Sequence, residues 1–179
     1  GVPEHFSAFH QRRERQRFLE ATDLFGPIVR EVEARRVRGD TVTFAIAHPL
    51  ALLQRGIRTS SSFCAFLTTV LNASDFKVRI ALYSDEITPG QVIQGDQTRK
   101  TYSVYWSFLE FGYPALSHES AWLTAATVRA DMVHDIEGGI QQVFNIVLQY
   151  FFGTASGEGG TGHDLRRGVV VYLDIDAPP

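Results

Sequence analysis

Apolar positions recur along the chain with two different periods, and the period assigns the elements. Lys77–Tyr83 alternates most clearly: Val78, Ile80 and Leu82 interleave with Lys77, Arg79, Ala81 and Tyr83, the pattern of a strand with two unlike faces. Thr41–Ala47 and Thr101–Phe111 are rich in β-branched and aromatic residues and predict two more strands. Trp122–Met132, with Thr124, Thr127 and Val128, predicts another, although Ala125, Ala126 and Ala130 keep a helix open there. In Ile140–Phe152 the period changes. Ile140, Val143, Phe144, Val147, Leu148 and Phe151 fall at helical spacing, which predicts an amphipathic helix after Gly138-Gly139. Val169–Leu173 predicts a last strand, with Asp174 and Asp176 just behind it.

The first forty residues read as helical. Phe6, Phe9, Phe18, Leu19 and Leu24 form part of an apolar stripe over Glu4–Phe25, and Arg12, Arg13, Arg15 and Arg17 surround it, read as a solvated face paired with Glu14 and Glu20, with a phosphate contact as the alternative. Gly26-Pro27 breaks this helix, and Pro27 suits the first turn of a second one running to about Arg36. Arg38-Gly39-Asp40 is a turn. Pro49 opens a short helix to about Arg55. Thr59-Ser60-Ser61-Ser62 is a capping cluster for an apolar helix over Phe63–Leu71. The expected architecture is an N-terminal helical segment, 1–40, before an α/β domain, 41–179, truncated at its C-terminus. That domain holds a mixed sheet with flanking helices.

Composition narrows the partners. The 179 residues suffice for one domain and its core. A lone cysteine, Cys64, excludes an internal disulfide, and with no basic-then-apolar leader it suggests an intracellular setting, nuclear if the partner is DNA. No apolar run is long enough to span a bilayer, so no membrane partner is expected. The net charge of −3 divides into +1 over residues 1–40, +2 over 41–109 and −6 over 110–179. The middle third, with Arg55, Arg58, Lys77, Arg79, Arg99 and Lys100, has room for a modest nucleic-acid contact, centred on Arg99 and Lys100. The acidic last third suits a protein partner instead. Gly153–Gly162 lacks the Gly-Lys-Ser/Thr ending of a P-loop and reads as a linker. The six histidines show no paired metal spacing. Trp106 and Trp122 read as core or sheet-face residues, able to stack on bases only if exposed beside Arg99 and Lys100.

The most pointed chemistry is Asp85-Glu86 at the end of the Lys77–Tyr83 strand. From Lys77 the order is strand, strand, strand, helix, strand, as in an RNase H-like core. There, an acid on the first strand meets one after the fourth, and together they hold two divalent cations that stabilise the attacking and leaving oxygens of a phosphodiester. Carboxylate oxygens suit Mg²⁺ or Mn²⁺. On this reading Asp85 is the first acid and Asp174 or Asp176 the second. If Val169–Leu173 is one arm of a hairpin, the second acid lies beyond Pro179. Glu119, Asp131 and Asp135 are candidates for a third. The alternative for Asp85 is a turn-forming residue that hydrogen-bonds the backbone before Thr88-Pro89-Gly90.

The runs Leu82–Gly90, Arg99-Lys100, Tyr105–Gly112, Ala115–Trp122 and Gly138-Gly139-Ile140 resemble a family of uncharacterised proteins associated with dinoflagellate algal genomes, over about Val42 to Val171. More loosely, the layout resembles DDE-type transposase cores of eukaryotic mobile elements, whose first acid follows a Tyr-x-Asp strand, as Tyr83-Ser84-Asp85 does here. This second resemblance implies a metal-dependent DNA strand-transfer or nuclease-type core, inactive if the second carboxylate is missing. The rival expectation is a non-catalytic protein-interaction scaffold.

Overall fold

The computed structural model describes residues 17, 20–87, 100–153, 156, 157, 160, 161 and 164–173. Its centre is a five-stranded sheet built from β3 (Val29–Arg35), β4 (Thr41–Ala47), β5 (Ile80–Ile87), β6 (Thr101–Phe108) and β7 (Leu123–Arg129). The spatial order is β3-β4-β7-β6-β5, with every neighbouring pair antiparallel. Helices α1 (Pro49–Thr59) and α2 (Ser61–Ala73) connect β4 to β5. A short α3 (Gly112–Leu116) lies between β6 and β7, and α4 (Ala130–Asp135) and α5 (Gly139–Phe152) follow β7. Two small hairpins complete the list, β1 (Thr22–Asp23) with β2 (Gly26–Pro27) and β8 (Ser156–Gly157) with β9 (Gly160–Thr161).

The sheet is two-faced because its strands alternate. Val32 and Ala34, Val42, Phe44 and Ile46, Val104, Trp106 and Phe108, and Ala126 and Val128 belong to one buried cluster with Leu53 and Ile57 of α1, Leu67 and Leu71 of α2, and Val143, Val147 and Phe151 of α5. All the long helices therefore cover the same face. Trp106 is the pivot: its ring meets Phe108 and Phe151 edge-on, each at 5.5 Å between centroids. Glu31, Glu33, Thr43, Ser103, Tyr105, Thr127, Tyr83 and Asp85 have the opposite parity and lie on the other face.

The expected α/β class holds, as do the strand over Thr41–Ala47 and the helix expected at Ile140–Phe152, which begins one residue earlier. Three local expectations give way to tertiary context. The helix expected to run on to Arg36 is strand β3, paired residue for residue with β4 from Val29↔Ala47 to Arg35↔Thr41. Val32 and Ala34 point into the core while Glu31, Glu33 and Arg35 point out, and this period-two burial outweighs the helix preference of Glu, Ala and Arg. The hairpin thus crosses the boundary expected at residue 40. The end of the N-terminal helix is replaced by the β1–β2 pair, and most of that helix lies outside the described residues.

The third change concerns Val169–Leu173, which joins no sheet. This segment runs instead as a strap along α1 and α2. The carboxamide of Gln54, fully buried, donates to the Tyr172 carbonyl at 2.8 Å and accepts from the Tyr172 N–H at 3.0 Å, as a neighbouring strand would. The Cys64 thiol donates to the Leu173 carbonyl at 3.5 Å. Among the described residues the sheet accordingly has no parallel member, and Val169–Leu173 does not form the fourth strand of an RNase H-like core. Among the described residues no helix is long and apolar enough to cross a membrane.

Two glycines set the start of α5. Gly138 and Gly139 have φ of 83° and 58°, a left-handed pair that reverses the chain between α4 and α5. Helix α1 is capped by His48, whose Nδ1 accepts from the Ala51 N–H at 3.2 Å, and α2 by Ser60, whose Oγ accepts from the Phe63 N–H at 3.2 Å. The strap has one strong attachment, which fixes a test. Gln54→Leu keeps the size of the side chain and removes both bonds to Tyr172. We expect a loss of about 1–3 kcal/mol in stability, together with faster proteolysis within residues 168–173. Unchanged denaturant midpoint and cleavage would mean that the bonds do not hold the strap.

Candidate functional site: an aromatic and acidic cleft on the open face

The open face is shaped by the register of β5 on β6. Tyr83 stands opposite Tyr105, Asp85 opposite Ser103 and Ile87 opposite Thr101. The Tyr83 and Tyr105 rings stack at 6.3 Å, as directly opposed aromatic residues do. A third ring comes from the connection between β6 and β7. Trp122 lies 6.0 Å from Tyr83, and its indole N–H donates to the Leu116 carbonyl at 2.9 Å, which fixes the ring against α3. The connection is itself fastened to the sheet by the buried Ser107, whose hydroxyl donates to the Ala121 carbonyl at 2.7 Å.

These features enclose a cleft of about 530 Å³. Tyr83, Tyr105 and Trp122 form its aromatic wall, and Ile87 and Leu116 extend it. Its polar groups are Asp85, Ser117, His118 and Glu119. Asp85 makes no hydrogen bond or ion pair with another described residue. Among the described residues that line it, the cleft carries two carboxylates and no lysine or arginine.

The structure positions some of the expected site residues and not others. Asp85 is inside β5, two residues before its end, and points to the open face. The turn that would have used it, Thr88-Pro89-Gly90, lies outside the described residues, as do Asp174 and Asp176. The last described residue before them, Leu173, rests on Cys64 on the helical side of the molecule. Glu119 shares the cleft with Asp85. Asp131 and Asp135 do not; they pair with Arg129 at 2.6 Å and Arg38 at 3.6 Å. No group of three or more His, Cys, Asp or Glu among the described residues is arranged to hold a metal ion. Arg99 is outside the described residues, and Lys100 turns away from the cleft to meet Glu86 at 2.7 Å. Of the two tryptophans, Trp106 is core and Trp122 belongs to the cleft. Neither Tyr83, which enters the sequence pattern only through the Tyr-x-Asp run, nor Tyr105 is marked by that pattern as a site residue. Their parity on an alternating strand, shared with Asp85, was the available signal.

Glu86, next to Asp85 but on the helical side of β5, has a different environment. The hydrogen bond from Lys100, and after it that from Tyr102, holds its carboxyl below the ordinary value of 4.5. The same contact raises Lys100, and Glu86 raises the Tyr102 phenol. A lowered folded value means that the contribution of Glu86 to stability is complete above its unfolded value and drains away as pH falls through the folded one. The group is solvent-accessible, so the effect is screened and small. Glu86→Gln should therefore flatten the fall in melting temperature on acidification below about 4.5. A fall as steep as in the parent would show that the Lys100 contact adds nothing. Comparison of the chain with protein-family models, with curated proteins and with solved structures finds no match.

Proposed function

We propose that the chain is a non-catalytic binding module whose open-face cleft takes the cationic side chain of a partner protein, a lysine, a methylated lysine or an arginine. The observation that carries this reading is the meeting of three aromatic rings in one cleft with the carboxylate of Asp85, which has no partner among the described residues. A cation over an aromatic face gains about 0.5–1 kcal/mol at an exposed site and about 2 where water is excluded. Asp85 and Glu119 add charge complementarity, and no lysine or arginine among the described lining residues competes with a ligand cation. An aromatic wall of this kind, on the sheet face opposite the long helices, also fits an interaction surface.

The strand-transfer reading rests on the order β5-β6-β7-helix with Asp85 on the first strand. It requires Asp85 to share a cation with Asp174 or Asp176, and it gains nothing from the acidic lining, which repels phosphate. The two readings separate in one set of measurements. Titration with a short trimethyllysine peptide should perturb Trp122 emission; Tyr83→Ala should weaken binding about two- to thirtyfold, the range set by the cation–π gain, and Asp85→Asn should weaken it by loss of the charge. Binding unaffected by either change would overturn the proposal. Mg²⁺-dependent DNA nicking that disappears in Asp85→Ala would replace it with the strand-transfer reading.

A further inference from the structure

The helical face holds a second cavity, independent of the cleft. It occupies about 290 Å³ between α1, α2 and the inner side of β5 and β6. Leu53, Leu67, Leu71, Ile80 and Trp106 line it, and Val171 of the strap closes it. Lys77 and Arg166 reach its rim, yet both already hold carboxylates: Lys77 meets Asp75 at 3.0 Å, and Arg166 meets Asp164 at 2.8 and 2.9 Å. The rim thus makes no strong demand for an anion.

The unmet demand lies in the wall. Trp106 is 1% exposed, and its indole N–H has no hydrogen-bond partner among the described residues. Buried indole N–H groups usually find an acceptor, and each buried donor without one requires an explanation. The rings packed on Trp106, Phe108 and Phe151, carry no oxygen or nitrogen acceptor and offer at most a weak ring-face contact. The mouth is also unusual. Phe76 lines the cavity but is 66% exposed, and with Asp75 it adopts a left-handed backbone, at φ of 56° and 52°. Non-glycine residues persist there only where their surroundings impose it. Opposite Phe76, the strap is held by Gln54 and Cys64.

We propose that this cavity binds a neutral, mainly apolar molecule carrying one hydrogen-bond acceptor, of the aliphatic ketone or ester class, whose oxygen receives the indole N–H of Trp106. The apolar walls take the hydrocarbon, the donor selects the oxygen, and Phe76 and the strap form the mouth.

Trp122→Phe leaves Trp106 as the single tryptophan and is the parent for the test. 2-Nonanone should quench and shift Trp106 emission and bind about tenfold more tightly than nonane, the ratio one hydrogen bond supplies. In a Trp106→Phe variant, followed by thermal shift, the two ligands should bind alike. Leu71→Phe, shown folded by circular dichroism, should abolish binding of both by filling the space, and Leu53→Phe on the facing helix serves if the first variant does not fold. Failure of 2-nonanone to bind the parent, equal affinity for ketone and alkane, or undiminished binding in a folded filled variant would each overturn the assignment. The cleft plays no part in these outcomes, so they are independent of the binding function proposed for it.

Discussion

Period-two alternation lets a single antiparallel sheet sustain two unlike environments, and the pairing of β5 with β6 holds those environments apart. Eight residue pairs, from Ile80↔Phe108 to Ile87↔Thr101, fix one register. In it Ile80, Leu82, Val104 and Trp106 meet the helices while Tyr83, Asp85 and Tyr105 meet the cleft. A slip of one residue would exchange the two sets, placing a carboxylate against Leu67 and leucine in the cleft. The core and the candidate site are therefore two consequences of the same ladder. The core enforces it, since burying Trp106 and Phe108 is possible in only one of the two parities.

The charge pattern follows the same division. Glu86 and Asp85 are adjacent in sequence, yet one side chain is engaged by Lys100 and Tyr102 and the other is left to the cleft. Arg79 at the far end of β5 is likewise occupied, donating to Glu110 through its side chain at 2.8 Å and its backbone N–H at 2.7 Å. Burial pushes the Glu110 carboxyl up, but these bonds from Arg79 more than offset it and hold it low. The basic groups of the middle third are thus largely committed to intramolecular pairs. A linear count of charge makes this region look suited to nucleic acid, whereas its accessible cleft is acidic.

What the sequence makes legible depends on whether a segment's neighbours agree with its own preference. In Thr41–Ala47 and Ile140–Phe152 the apolar period, the residue types and the final packing coincide, and both elements can be read directly. Val29–Arg35 is different. Glu31, Glu33, Ala34 and Arg35 favour a helix, and only the partner strand, which local pattern does not reveal, decides for β3. Val169–Leu173 is the converse, β-prone residues that join neither edge of the sheet and are held by the buried carboxamide of Gln54. Asp85 could be recognised as exposed chemistry at a strand, but its companions could not. Trp122 comes from a distant connection, and its place beside Tyr83 depends on the bonds from Ser107 to Ala121 and from Trp122 to Leu116.

Those two bonds have a consequence for molecular recognition. Side chains that must be ordered during association reduce its free energy by the entropy they surrender. Here Trp122 is tethered through its indole nitrogen, and Tyr83 leans on both Tyr105 and Trp122. The aromatic wall is thus braced by its own contacts. On the binding role proposed for the cleft, discrimination among guests would come from shape and from the cost of stripping water from Asp85 more than from rearrangement of the wall.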